Sequence, residues 1–144
     1  MKKVLMFLVI VVAIVAIIGI KYSSYKIEYN AVKQENAEYE LLKDKEIYGL
    51  DIATIMNKAV DKNTKNKIEK DENGMYIPND KNSIKVQVYI HDNETTYNME
   101  TFYNAGTEQF AKYYGNIKFK CSKIEYHKKT GKIKYIYFEQ LQTS

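Results

Sequence analysis

The sequence predicts an α+β protein: an N-terminal transmembrane helix and helical stalk, then a small antiparallel sheet covered by helices. Three observations predict it. Residues 4–20 (VLMFLVIVVAIVAIIGI) contain no charge, no polar side chain and no proline. Tyr48, Ile52, Ile55, Met56, Ala59 and Val60 recur at helical spacing. Residues 84–90 and 117–139 alternate apolar with polar side chains between turn-forming residues.

The apolar run, as a helix, spans about 25 Å, close to the ~30 Å hydrocarbon core of a bilayer. Lys2, Lys3 and Lys21 flank it, with Tyr22 and Tyr25 where interfacial aromatics belong. It is too long for a signal-peptide core, and no small-x-small cleavage site or lipid-accepting cysteine follows it. An uncleaved signal-anchor over residues 1–21 is therefore expected, single-pass in the cell membrane. With almost nothing before the helix, the N-terminus stays inside and the C-terminal domain lies extracytoplasmic.

Residues 22–46 read as a helical stalk. The segment is rich in helix formers, carries charge on most faces, and sustains no heptad seam for a stable coiled coil. Residues 47–144 read as one α+β domain, enough chain for a single core. Its first helix carries the Tyr48-to-Val60 stripe and ends near Asn63, with a break or bend at Gly49 and Asp51 as a candidate N-cap. Residues 63–82 are polar and hold the only proline, Pro78. Asp71-Glu72-Asn73-Gly74 resembles a fragment of a calcium loop but lacks the bidentate Glu six residues beyond the glycine, so a hairpin turn is expected there.

Ile84, Val86, Val88 and Ile90 mark a half-buried strand, with a return over residues 95–98. Met99, Phe102, Gly106, Phe110 and Tyr113/Tyr114 follow helical spacing, closed by Gly115 as C-cap. Gly106 inside this helix implies a close approach to a neighbour. Ile117, Phe119 and Cys121 share one strand face, and a bulge near Ser122-Lys123 brings Ile124 and Tyr126 into phase. The final hairpin has two registers. A left-handed Gly131 groups Ile124, Tyr126, Ile136 and Phe138, whereas a four-residue loop aligns Ile124 and Tyr126 with Ile133, Tyr135 and Tyr137. The order is helix, hairpin, helix, hairpin.

Composition bounds the function. Lys, Asn, Ile and Tyr are abundant while Arg and Trp are absent, the signature of an AT-rich genome, read here as a low-GC bacterium. The net charge of +4 falls to about +2 once Lys2 and Lys3 are set aside, too little to point to nucleic acid. A single cysteine, Cys121, leaves no intramolecular disulfide and no multi-cysteine metal site. Cys121 reads as a small core hydrophobe, His91 and His127 as turn-flanking residues, and Glu100 and Glu108 as solvated helix charges. No catalytic, cofactor-binding or metal site is expected, and the protein is read as non-enzymatic.

The one local anomaly is a lysine-rich C-terminal stretch. Lys118, Lys120, Lys123, Lys128, Lys129, Lys132 and Lys134 stand between residues 117 and 137, with Glu125 the only acid. Lys118, Lys120, Lys128, Lys129, Lys132 and Lys134 are candidate contacts to an anionic cell-envelope polymer. Lysines on hairpins also protect sheet edges, which needs no ligand. The leading function is a membrane-anchored module that docks a protein partner in envelope assembly. The alternative is a filament or secretion-system subunit, because an apolar N-terminal helix running into an amphipathic helix and then a sheet resembles the layout of type IV pilins. Pilin precursors carry a Gly before the apolar helix and a Glu near its start; here stand Lys3 and uninterrupted Val4-Leu5-Met6-Phe7-Leu8.

Overall fold

A computed structural model describes residues 1–142. The chain divides into two compact units, one ending at Glu35 and the other beginning at Asn36. The first unit is helix. It belongs to α1 (Lys2–Glu40), whose most apolar 18-residue window has a mean hydropathy of 3.1 and no buried residue. The helix is long and apolar enough to cross a membrane. Tyr25 and Tyr29 stack at 6.4 Å just beyond the apolar run.

The second unit begins with the last turn of α1. Both buried residues of the helix, Asn36 and Tyr39, lie there. The chain then forms β1 (Glu46–Tyr48), α2 (Gly49–Lys65), β2 (Lys85–Ile90), a single 3-10 turn, and β3 (Thr95–Asn98). It ends with α3 (Met99–Ala105), α4 (Thr107–Tyr114), β4 (Lys118–Tyr126) and β5 (Ile133–Gln140). The strands build one sheet in the order β1-β4-β5-β2-β3.

This is the expected α+β class, with one correction: the sheet is mixed, not antiparallel. The two hairpins, β2–β3 and β4–β5, join through a parallel pairing of β2 with β5. Val86 lies opposite Ile136 and Val88 opposite Phe138, so the most apolar strands meet at the centre. Side chains on one face of this sheet, including Val86, Val88, Phe119, Cys121, Ile136 and Phe138, form the core with α2 and Phe110 of α4. An aromatic chain continues it, with Phe110 centred 4.6 Å from Phe102 and 6.2 Å from Phe119.

The stalk helix ends at Glu40, and residues 46–48 are strand. Tyr48, expected on the apolar face of a helix, is exposed opposite Lys118 in β1. Helix α2 starts at Gly49, and Asp51 lies in its first turn, not at the cap. No side chain caps it. The Gly49 and Leu50 N–H groups instead donate to Ile117 O at 2.9 Å and Gly115 O at 3.2 Å, so the α4–β4 turn serves as the cap.

The helix expected over residues 99–114 breaks at Gly106, whose φ of 92° is outside the helical range. No atom lies within 4 Å of a Cβ built there, so its backbone angle, not a close approach, requires the glycine. The close approach is at Gly49, where a Cβ would sit 2.0 Å from Tyr114 O. Gly115 has right-handed helical angles, not the left-handed form of a glycine cap. At Gly74 the turn forms (φ 78°) but joins only one bridge, Lys70 with Tyr76.

The bulge falls where expected: the β4–β5 register shifts between Cys121 and Lys123. Gly131 is left-handed (φ 70°), and Ile124 pairs with Ile136, which is the first of the two registers. Tyr126 departs from it. A second shift places Tyr126 opposite Ile133 and leaves it 41% exposed.

Two buried asparagines clamp backbone to backbone. Asn63 donates to Ile84 O (2.7 Å) and accepts the Ile84 N–H (2.8 Å), fixing the entry to β2. Asn36 donates to Gly131 O (2.7 Å) and accepts the Ile133 N–H (3.1 Å), fixing the entry to β5. Each supplies a donor and an acceptor from one amide to main-chain groups at the start of a strand.

Candidate functional site

Among the described residues, α2 and α4 pack against the core face of the sheet. The opposite face presents Lys85, Gln87 and Tyr89 from β2, Tyr135, Tyr137 and Glu139 from β5, and Lys118, Lys120, Lys123 and Glu125 from β4. This alternation is the direct outcome of period two: each residue here neighbours a core residue in sequence. Tyr89, Tyr135 and Tyr137 are half-buried among their neighbours, with no helix packed over them among the described residues.

A hydrogen-bonded row crosses this face. The Tyr135 hydroxyl donates to Gln87 Oε1 at 2.7 Å, and Gln87 Nε2 donates to Asn98 Oδ1 at 2.7 Å. Burial, then the nearby Tyr137 and Glu125, push the Tyr135 phenol up to about 12, so it stays a neutral donor. Tyr135 and Tyr137 stack at 6.3 Å, and Lys123 Nζ sits 5.7 Å from the Tyr135 ring. The face thus combines rigid aromatic area with fixed polar groups.

The candidate lysines do not gather at one place. Lys118 and Lys120 lie at the start of β4, and Lys118 pairs with Glu46 at 3.0 Å. Lys120 stands opposite Glu139 in the strand register. Lys128 and Lys129 occupy the turn at the far end of the strand, about 25 Å away at ~3.3 Å per residue. Lys129 pairs with Asp80 at 2.6 Å and holds that carboxyl below its ordinary range. Lys132 is half-buried, and its carbonyl accepts the His127 N–H at 2.8 Å. Lys134 is exposed beside that turn. Lys123, the bulge lysine, pairs with Glu125 at 2.6 Å and lowers its pKa. The charge run in the sequence becomes two separated, partly neutralised groups.

Two shallow clefts border the turn-end group. One of about 570 Å³ is lined by Asp80, His127, Lys128, Lys129 and Lys134. The other, about 320 Å³, is lined by Tyr76, Lys85, Glu100, Lys123, Lys134 and Tyr135 among others. Glu100 corrects an expectation. It is 4% exposed, not solvated, and its Oε1 accepts the Tyr76 N–H at 3.1 Å. Glu108 is exposed as expected. His127 is likewise buried, with Nε2 2.7 Å from Ser83 O, which makes it a brace between the hairpin turn and the 76–84 segment.

Cys121 is fully buried on the core face, and burial raises its thiol to about 11. His127 is engaged elsewhere, so no base activates this thiol. Native protein at pH 8 is expected to resist iodoacetamide for hours and to react fully in denaturant; rapid native labelling would contradict the buried position. The same shift has a stability sign. Folded-state pKa lies above the ordinary thiol value of 9.0, so its contribution is complete below pH 9 and is lost as pH rises through about 11.

Among the described residues no three His, Cys, Asp or Glu side chains gather as a metal site. Compared with protein-family models, curated proteins and solved structures, the chain matches none.

Proposed function

We propose that this is a membrane-anchored, non-enzymatic docking module of the cell envelope, presenting residues 47–144 outside the cytoplasm to a protein partner. One observation carries the reading: among the described residues no helix packs over Tyr89, Tyr135 and Tyr137 on this sheet face, while the opposite face holds the core. Tyrosines supply contact area at low entropic cost and are favoured at protein interfaces. The pairing of Lys118, Lys123 and Lys129 with acids favours a protein partner over an anionic polymer, which would need an unneutralised basic field.

The test is site-specific photo-crosslinking in intact cells. A crosslinker at Tyr137 should yield one discrete protein adduct, and one at Tyr113, 70% exposed on α4, should not. Equal adducts at both positions, or none at Tyr137, would sink the docking face; a polydisperse adduct would assign it to polymer. The anchor is tested separately. Alkaline carbonate extraction should leave the protein in the membrane pellet, and deletion of residues 2–21 should release it.

A filament or secretion-system subunit is a second reading, favoured by one feature, the length of α1, 39 residues from Lys2 to Glu40 with an apolar N-terminal part. Mass spectrometry of the mature N-terminus separates the two. A processed, methylated end supports the filament, and an intact Met1-Lys2 start removes it.

A further inference from the structure

The cleft of about 320 Å³ beside β2 has a composition that partner docking does not explain. Its size is at the lower end of the ~300–1,000 Å³ range of small-molecule sites. Its charged groups are of both signs. Glu100, in the first turn of α3, belongs to the lining and is almost wholly buried. One oxygen, Oε1, accepts the Tyr76 N–H, while Oε2 meets no hydrogen-bond donor among the described residues. A buried carboxylate oxygen without a donor is unfavourable, and a cationic donor arriving from the cleft would complete it.

The remaining charged lining consists of Lys85, Lys123, Lys134 and Glu125. Lys123 and Glu125 neutralise one another at 2.6 Å. Lys85 and Lys134 are exposed and form no ion pair among the described residues. Tyr135 adds a neutral phenol and Pro78 an apolar wall. A simple anion would satisfy the lysines and be repelled by Glu100. A simple cation would do the reverse.

We propose that this cleft binds a small zwitterion of amino-acid or dipeptide size, its ammonium donating to Glu100 Oε2 and its carboxylate held by Lys85 and Lys134. The site shares Lys85, Lys123, Glu125 and Tyr135 with the open sheet face but needs no protein partner.

The test uses full-length protein in uncharged maltoside micelles, titrated with alanyl-alanine and followed by calorimetry. A Kd of about 1 mM or tighter is expected, weakened about ten-fold or more by N-acetylation or by C-terminal amidation of the peptide. Glu100→Gln keeps an oxygen for the Tyr76 N–H and the same volume, and it should weaken the unmodified dipeptide by a similar factor. Should that variant lose its native circular dichroism, the Lys85→Ala/Lys134→Ala double variant carries the test, because both side chains are exposed. No saturable binding at about ten times that concentration would overturn the proposal. So would equal affinity for the acetylated peptide, or unchanged affinity in the variants that fold.

Discussion

Gly49→Ala is expected to be the most damaging single-methyl addition in the domain. The new Cβ would stand 2.0 Å from Tyr114 O and 2.6 Å from Tyr114 C, both backbone atoms that no rotamer change can move. The contact is tight because the α2 N-terminus has no side-chain cap and draws its acceptors, Gly115 O and Ile117 O, from the same turn. Relief therefore requires α2 to back away and lose those bonds. Overpacking costs ~1–3 kcal/mol, and the lost cap places this case at about 3 kcal/mol or more. Urea unfolding of the full-length protein in micelles, followed by circular dichroism, should show the midpoint falling by about 2 M. Gly19→Ala is the control: nothing lies within 4 Å of its Cβ and it sits inside α1, so the midpoint should not fall. A Gly49→Ala midpoint within error of wild type would refute the clamp between α2 and the α4–β4 turn.

The second large effect is expected at Asn63. Asn63→Ala removes both bonds to Ile84 and leaves a buried N–H and a buried C=O without partners, at about 3 kcal/mol in total. Asn63→Asp is more informative. At neutral pH the carboxylate still accepts the Ile84 N–H but sets an anion against Ile84 O, which lies 2.7 Å from the present amide nitrogen. Below the pKa of that carboxyl its O–H donates to the same carbonyl, so the variant should regain stability as pH falls. Wild type, with an amide at this position, should not gain in that window. Parallel pH profiles for Asn63→Asp and Asn63→Ala would show that the side chain does not bridge to Ile84.

Local rules made much of this fold legible. The stripe of Ile52, Ile55, Met56, Ala59 and Val60 gave α2, period two gave β2, and the phase change after Cys121 located the bulge. Pairings between distant segments were not legible. Alternation states which face of a strand is buried but not the direction of its neighbour, so the parallel β2–β5 pairing has no local signal. β1 was hidden because Tyr48 fits the helical spacing of α2, although its own partner is Lys118, far along the chain. For Asn63 a signal did exist. It lies seven residues after Met56 and eleven after Ile52, on the apolar stripe itself, where an amide must find partners. Glu100 gave no such sign, because what covers it is the 76–84 segment and not its own helix. The lysine run was visible, but the pairing of Lys118 with Glu46 depends on the β1–β4 register and that of Lys129 with Asp80 on how the loop before β2 meets the last hairpin. Of these pairs only Lys123–Glu125, two residues apart on one strand, is local.

The central position of β5 has a consequence for biogenesis. Its two neighbours, β4 and β2, depend on it to become one sheet, and it follows every other described strand in chain order. Until Gln140 has been delivered, the earlier hairpin and helices lack the partner that closes their shared interior. A nascent chain held in that open state remains threadable through a narrow translocation channel. In the orientation proposed above, compaction follows export.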